Sequence, residues 1–482
     1  MLVLALESST SSAKGMLYDS ERGIVGVEQM KYDAADCAIG SMDTEGAFRA
    51  TMKIGRKLAA GREIAAIALG GIWHSIAVCD AALNPVTPTY TWEFAGAAQI
   101  CADIRCDEAF SQELYRRTGC MPHYCYPRHT LQYLKEQGLD LSDKLFVTQG
   151  AYHFYRMTGQ FCETVSTQCG TGVVNIHTLD YDEDTLGYLG LRREQFGRLV
   201  NYRDVSALSE QAAGMLGLKP GIPVVPAHPD GALNQIGNYA NFAGQMTLSV
   251  GTSAALRTVA DRPTFGSRNQ LWCYYGVNSW VSGAAISGAC NCLNWFSNTC
   301  LGGTHTLAEL DAMADGVRET PVFLPFLFGE RCPGWQNGAR AGFYDLRPEH
   351  TLGSLYRAIE MGVLFNLRQC YDAVLGENGE PENIIVSGGI TNSAQWTQML
   401  ADILGRELRV VSNPDASCAG AVALALHTVG CLEDINGFKA DFELSRTVEP
   451  NEKMFDYYRQ QYDRYLAEYA KMGEEFTVCA VK

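Results

Sequence analysis

The chain has 482 residues, 47% of them apolar and 19% charged, with 38 basic against 54 acidic side chains. That length suggests two or three domains, and the apolar share supports folded cores over disorder. The formal net charge of −16 argues against nucleic-acid binding, which needs a basic footprint. No run approaches the ~20 apolar residues of a membrane helix. Met1-Leu-Val-Leu-Ala-Leu-Glu7 lacks the basic flank and apolar length of a secretion signal, so a cytoplasmic location is expected. The 17 cysteines are odd in number, irregularly spaced and without any Cys-x-x-Cys. They read as reduced, mostly buried thiols and not as zinc ligands or a disulfide framework.

In chain order, Leu2–Glu7 has the pattern of a buried strand, Ser8-Ser-Thr-Ser-Ser12 that of a hydroxyl-rich turn, and Ala13–Asp19 resumes as strand. Ile64–Leu69 and Pro223–Ala227 read as further buried strands, and Leu208–Leu216 as a helix ended by Gly217. The opening hairpin then returns: Met246–Val250, a Gly251-Thr-Ser253 turn, and Ala254–Val259. Thr10 aligns with Thr252 about half a chain length away, which suggests two similar halves; the boundary is placed near Phe242. Leu352 to Val374 keeps helical spacing between a Thr351 N-cap and Gly376. The strand Asn383–Ser387, the turn Gly388-Gly389 and a helix from Trp396 to Leu404, stopped by Gly405, follow. The aromatic repeat Phe455, Tyr458, Tyr462, Tyr465 and Tyr469 predicts a packed helix face.

Three strand-following turns rich in Gly, Ser and Thr could aim backbone N–H groups and hydroxyls at phosphate oxygens: Ser8–Ser12, Gly251–Ser253 and Gly388-Gly389. None is a Walker A loop or a dinucleotide fingerprint. Each alone is ordinary turn chemistry, but two equivalent hairpins facing across a cleft would form a phosphate clamp. Asp230, in His228-Pro-Asp-Gly-Ala232, follows a strand and precedes a helical run. It reads equally as a helix N-cap and as a general base. Trp73, His74 and Trp92 offer a stacking face and hydrogen bonds to a sugar, or ordinary packing.

The order of these pieces resembles the FGGY carbohydrate kinases, in particular their gluconokinase and xylulokinase branch. The resemblance runs from the Leu4–Asp19 hairpin through Gly71–Val78, Thr118–Tyr126, Ser166–Gly172, Pro229–Leu233 and Val250–Ser253. It continues through Phe323-Leu-Pro-Phe-Leu-Phe-Gly-Glu-Arg331 with Ala339–Phe343, and ends in Ser387–Ser393 with Gln398–Asp402. It implies an α/β chain of two actin-like (ribonuclease H-like) domains around a central cleft, with ATP and Mg²⁺. The sugar-binding domain would be 1–242 and the nucleotide-binding domain 243–482. It implies Asp230 as general base and, with Glu7, as a metal partner. Thr10, Ser11, Ser12, Lys14, Gly251 and Thr252 would serve the phosphates, and Gly388, Gly389 and Asn392 the adenosine. Trp73, His74, Trp92, Tyr126 and Asp230 would contact the sugar. The implied partner is a small sugar or sugar acid, with neither nucleic acid nor membrane, and a homodimer is left open.

The chain departs from the family pattern at three places. Glu7-Ser8-Ser9-Thr10 stands where relatives usually carry Asp followed by a Gly-Thr-Thr type turn. Trp92-Glu-Phe-Ala-Gly96 lacks the Asp and Arg common after that tryptophan, and Thr130 stands where many relatives have Lys. Gluconate is the first-choice acceptor and xylulose the alternative. Arg128 and His129 could meet a carboxylate, although solvated surface positions are the expectation for both. Two rivals are a catalytically weak sugar sensor on the same fold, motivated by these departures, and an actin-like ATPase acting on protein clients, which would need an additional client-binding module.

Overall fold

The computed structural model describes residues 1–33, 37–266, 270–411, 415–439 and 444–479, with side chains described to residue 472. The first half is organised by β1 (Leu2–Ser8), β2 (Ser12–Asp19), β3 (Gly23–Lys31), β4 (Ile64–Gly71) and β5 (Pro223–Pro229). With the two-residue strand Ser206–Ala207 they form a six-stranded sheet, ordered Ser206–Ala207, β5, β4, β1, β2, β3. The hairpin strands β1 and β2 are antiparallel, with Glu7 opposite Lys14. β1 runs parallel to β4, and β4 parallel to β5. Apolar runs on the central strands fit a sheet covered on both faces. Helix α1 (Thr44–Ala59) covers one face, burying Phe48, Met52, Ile54 and Leu58 against Leu4 and Leu6.

The second half repeats this plan. Its strands are β6 (Gln245–Val250), β7 (Ala254–Ala260), β8 (Trp272–Tyr275), β9 (Trp280–Ile286), β10 (Asn383–Ser387), β11 (Leu408–Val411) and β12 (Leu444–Val448). They are ordered β8, β9, β7, β6, β10, β11, β12. Again the hairpin is antiparallel (β6 with β7), and its first strand runs parallel to a later one (β10). The half-length repeat in the sequence is therefore a repeat of sheet topology.

Two helices join the halves. α2 (Asp230–Gly237) starts where β5 ends, and α5 (Ala416–Thr428) packs on it and on β1 and β4. Their backbones touch at glycines: a Cβ on Gly237 would lie 1.9 Å from the Ala416 carbonyl oxygen, and one on Gly420 2.1 Å from that of Leu233. Only a residue without a Cβ permits so close a crossing. Between α2 and α5 in the chain come α3 (Leu352–Asn378) and α4 (Ala394–Leu404). α3 runs past Gly376 and stops at Gly379, because Tyr371 and Val374 continue its buried face. Gly405 ends α4 in the left-handed region (φ 67°). The tail helix α6 (Phe455–Cys479) buries Tyr458 and Tyr465, in line with the packing expected of its aromatic repeat. No disulfide forms among the described cysteines, most of which are buried. No helix among the described residues is long and apolar enough to cross a membrane.

Candidate active site

Ligands of open α/β sheets collect beyond the C-terminal ends of parallel strands, and there the register aligns the candidate residues. Glu7 pairs with Gly70 across β1 and β4, and Gly71 with Pro229 across β4 and β5. The Ser8–Ser12 turn, the Trp73-His74 segment and Asp230 thus leave neighbouring strands at the same edge. In the second half, Ser249 pairs with Ser387, which puts the Gly251–Ser253 and Gly388-Gly389 turns side by side. Gly388 has φ 93°, and a Cβ there would lie 2.5 Å from the Val250 carbonyl oxygen, so this contact between turns requires glycine.

The two sets of turns meet at one cavity of about 280 Å³. Thr10 from the first hairpin and Ser253 from the second both line it, together with Asp230, Trp73, His74 and Trp92. The second half adds Arg257, Trp272, Tyr274 and Arg331. The wall is aromatic: Trp73 lies 4.7 Å from Tyr274 between ring centroids, and Tyr274 stacks on Trp272 at 4.6 Å. Trp73 is fixed by donating Nε1–H to the Ser166 carbonyl at 2.8 Å, and Trp92 by donating to Thr10 Oγ1 at 3.1 Å.

His74 Nδ1 lies 2.5 Å from the Gly170 carbonyl oxygen. A carbonyl only accepts, so Nδ1 carries the proton and Nε2 is left as an acceptor. Burial, offset in part by that carbonyl and reinforced by the charge of Arg331, pushes the His74 pKa down to about 3. The ring is therefore neutral at physiological pH. Asp230 opens α2 without capping it; its Oδ1 accepts from the Gly231 N–H at 2.7 Å. Of the two readings of Asp230, the N-cap is thus not the one adopted. Burial raises its pKa, while Arg257 and the Gly231 N–H hold it back.

Beside the cavity, Lys14 Nζ lies 3.4 Å from Glu7 Oε1 and 2.9 Å from Asp415 Oδ2, the N-cap residue of α5. Glu7 is buried, which raises its pKa to about 7 against the pull of Lys14, with Asp415 and Asp230 raising it further. Its Oε2 has no hydrogen-bond partner. Glu7, Asp415 and Cys418 also bring their ligand atoms within 4.8 Å of one another.

Not every predicted residue lines the cavity. Ser11 and Thr252 are exposed, Ser12 is buried with its Oγ 3.1 Å from that of Ser9, and Gly251, Gly388, Gly389 and Asn392 lie on the second-half turns outside it. Tyr126 is buried behind His74, its hydroxyl 2.8 Å from that of Tyr274. Arg128 and His129 are not solvated surface residues; they are 1% and 2% exposed, with Arg128 Nε donating to His129 Nε2 at 3.0 Å. Pro127 starts a helix there whose first turn points into the protein. Sequence reasoning missed Arg257, Trp272, Tyr274 and Arg331 as residues lining the cavity. A signal existed for Arg257: an arginine on β7, a strand paired on both sides, is a charge with no sheet edge to escape to.

The same architecture occurs in known proteins. Residues 2–237 match the N-terminal domain, and 246–429 the C-terminal domain, of the FGGY family of carbohydrate kinases. A gluconokinase of Bacillus subtilis (strain 168) is 25% identical over 90% of this chain and 89% of its own, and a xylulose kinase of Escherichia coli (strain K12) 26% identical over 88% and 89%. Among solved structures, the gluconate kinase from Lactobacillus acidophilus superposes with a TM-score of 0.93 at 24% identity, covering 99% of both chains. With both family domains matched in order along a chain of two like-folded halves, this protein belongs to the FGGY family of carbohydrate kinases.

Proposed function

We propose that the protein transfers the γ-phosphoryl group of ATP to a hydroxyl of an open-chain sugar acid, with gluconate as the first candidate. The observation that supports this most is the single cavity in which Asp230, both hairpin turns and an aromatic wall converge. The similarity to gluconokinases supports the choice of acceptor, and that to xylulose kinases keeps xylulose as the second reading.

In this reading residues 1–242 form the sugar-binding domain and 243–482 the nucleotide-binding domain. Trp73 and Trp92 hold the carbon chain by stacking, and neutral His74 accepts from one of its hydroxyls. Tyr126 supports that wall from behind. Asp230 takes the proton of the attacking hydroxyl as the new O–P bond forms and the bond to the departing ADP breaks. Thr10, Ser11, Ser12, Lys14, Gly251 and Thr252 surround the phosphates, and Gly388, Gly389 and Asn392 the adenosine. Phosphoryl transfer asks mainly for positioning and charge neutralisation, which such turns provide. Closing of the halves would keep water from the phosphoryl group.

The residues fit Mg²⁺. Glu7 and Asp230 are hard oxygen donors close enough to influence one another, and the unpartnered Glu7 Oε2 is free to meet a cation or its water shell. When bound, Mg²⁺ would neutralise phosphate charge. The cytoplasm, where ATP and reduced thiols are found, suits such an enzyme. The test is a coupled ADP-release screen over aldonates, ketoses and polyols, with the product identified. Turnover with an aldonate is expected; ADP release with none of them would reject the reading.

A further inference from the structure

Two guanidiniums and one carboxylate line the active-site cavity. Arg257 and Arg331 both line it, and the Nε of each is buried without a hydrogen-bond partner. Neither forms a salt bridge or a side-chain hydrogen bond among the described residues. Arg257 lies against the start of α2: a Cβ on Gly231 would sit 3.2 Å from its Nε and 2.6 Å from the Trp73 ring. Arg331 lies over the Trp92 ring, 5.5 Å from its centroid. The one acid lining the cavity is Asp230 and the one histidine, His74, is neutral, so two guanidiniums face one carboxylate.

Arg257 already feels the Asp230 charge, but two buried guanidiniums beside one carboxylate leave a positive excess, and the cost of burying it is relieved when an anion arrives. A planar guanidinium matches a carboxylate through paired N–H···O bonds, a geometry that no hydroxyl offers. The position matters as well. Arg257 lies beside Trp73, and Arg331 over Trp92, the stacking residues that would hold the carbon chain.

We infer that Arg257, with Arg331 adding its field, is the subsite for the carboxylate of an open-chain sugar acid, and that it selects anionic over neutral acceptors. This deepens the kinase reading and rests on it only in that the cavity receives the sugar. Because Arg257 comes from the second half and Trp73 from the first, a substrate carboxylate would also tie the two halves together.

The experiment compares kcat/KM for aldonates with that for their alditols, D-gluconate against D-glucitol first, a pair differing only in a carboxylate or a hydroxymethyl group. The wild-type enzyme is expected to favour the aldonate. Arg257→Gln should lower the aldonate-to-alditol ratio roughly 10- to 100-fold, as loss of a charged hydrogen-bonding partner does. Arg257→Lys, which keeps the charge without the fork, should restore part of it, and Arg331→Gln should lower the ratio less. A wild-type preference for alditols or ketoses would overturn the inference while leaving the kinase reading standing. An unchanged ratio in Arg257→Gln would overturn it too, since the guanidinium would then serve the phosphoryl group or Asp230 alike for every acceptor. Thermal shift by gluconate without nucleotide separates the two readings. If no acceptor yields ADP, yet gluconate stabilises the wild type and not Arg257→Gln, the subsite stands and the kinase reading falls. Absence of both responses rejects both.

Discussion

Glu330, next to Arg331, is 3% exposed and carries a testable electrostatic load. Its Oε1 accepts from the Tyr469 hydroxyl at 2.6 Å and from the Gly334 N–H at 3.3 Å, while Oε2 is buried without a partner. Burial outweighs both bonds and raises its pKa from 4.5 to about 7. Below about pH 4.5 folded and unfolded chains both hold the proton, and the group has no effect on stability. As pH rises to about 7 the unfolded chain releases it first, so the unfolded state binds fewer protons and stability falls; above that pH the loss is complete. A shift of this size corresponds to roughly 3 kcal/mol in total. Glu330→Gln retains an oxygen for both donors and cannot ionise. The stability advantage of the variant should therefore grow by roughly 2–3 kcal/mol between about pH 5 and pH 8. Urea midpoints measured for both proteins across that range would show it. Midpoints that run parallel with pH would refute the argument that Glu330 is held as a neutral acid.

Two further expectations concern the α2–α5 crossing and the second-half phosphate turn. In Gly420→Ala the new methyl would sit 2.1 Å from the Leu233 carbonyl oxygen, so α5 must move off α2. A loss of about 1–3 kcal/mol and a fall in kcat are expected from thermal unfolding and steady-state rates, and wild-type values for both would show that the crossing is not tight. Thr252→Val should raise KM for MgATP more than KM for the sugar, and the reverse pattern would remove this turn from the phosphates.

Much of the fold could be read from local chemistry. Apolar runs gave β1, β5, β6 and β10, the Gly-Thr-Ser turn gave the second hairpin, and Gly217 and Gly405 gave helix ends, because each signal lies within a few residues. Gly376 does not end α3, since a glycine inside a helix costs only about 1 kcal/mol and the buried face running up to it decides. β3 escaped notice because its mixed, half-exposed edge shows no apolar run. At the site, the residues from the first half were legible as strand-end motifs. Arg257, Trp272, Tyr274 and Arg331 were not, because they come together only when segments far apart in sequence close on one cavity. Arg128 shows the opposite case: its charge suggests water, and the fold buries it.

As the proposed base, Asp230 would face both the sugar hydroxyl and the phosphate turns. The most direct measurement is single-turnover phosphoryl transfer from ATP to gluconate by Asp230→Ala, with circular dichroism and gluconate-induced thermal shift run on the same preparation. Loss of roughly 10²–10⁴-fold in the chemical step, with folding and sugar binding preserved, is the predicted result. Transfer at near wild-type rate in a folded, sugar-binding variant would remove Asp230 as the base.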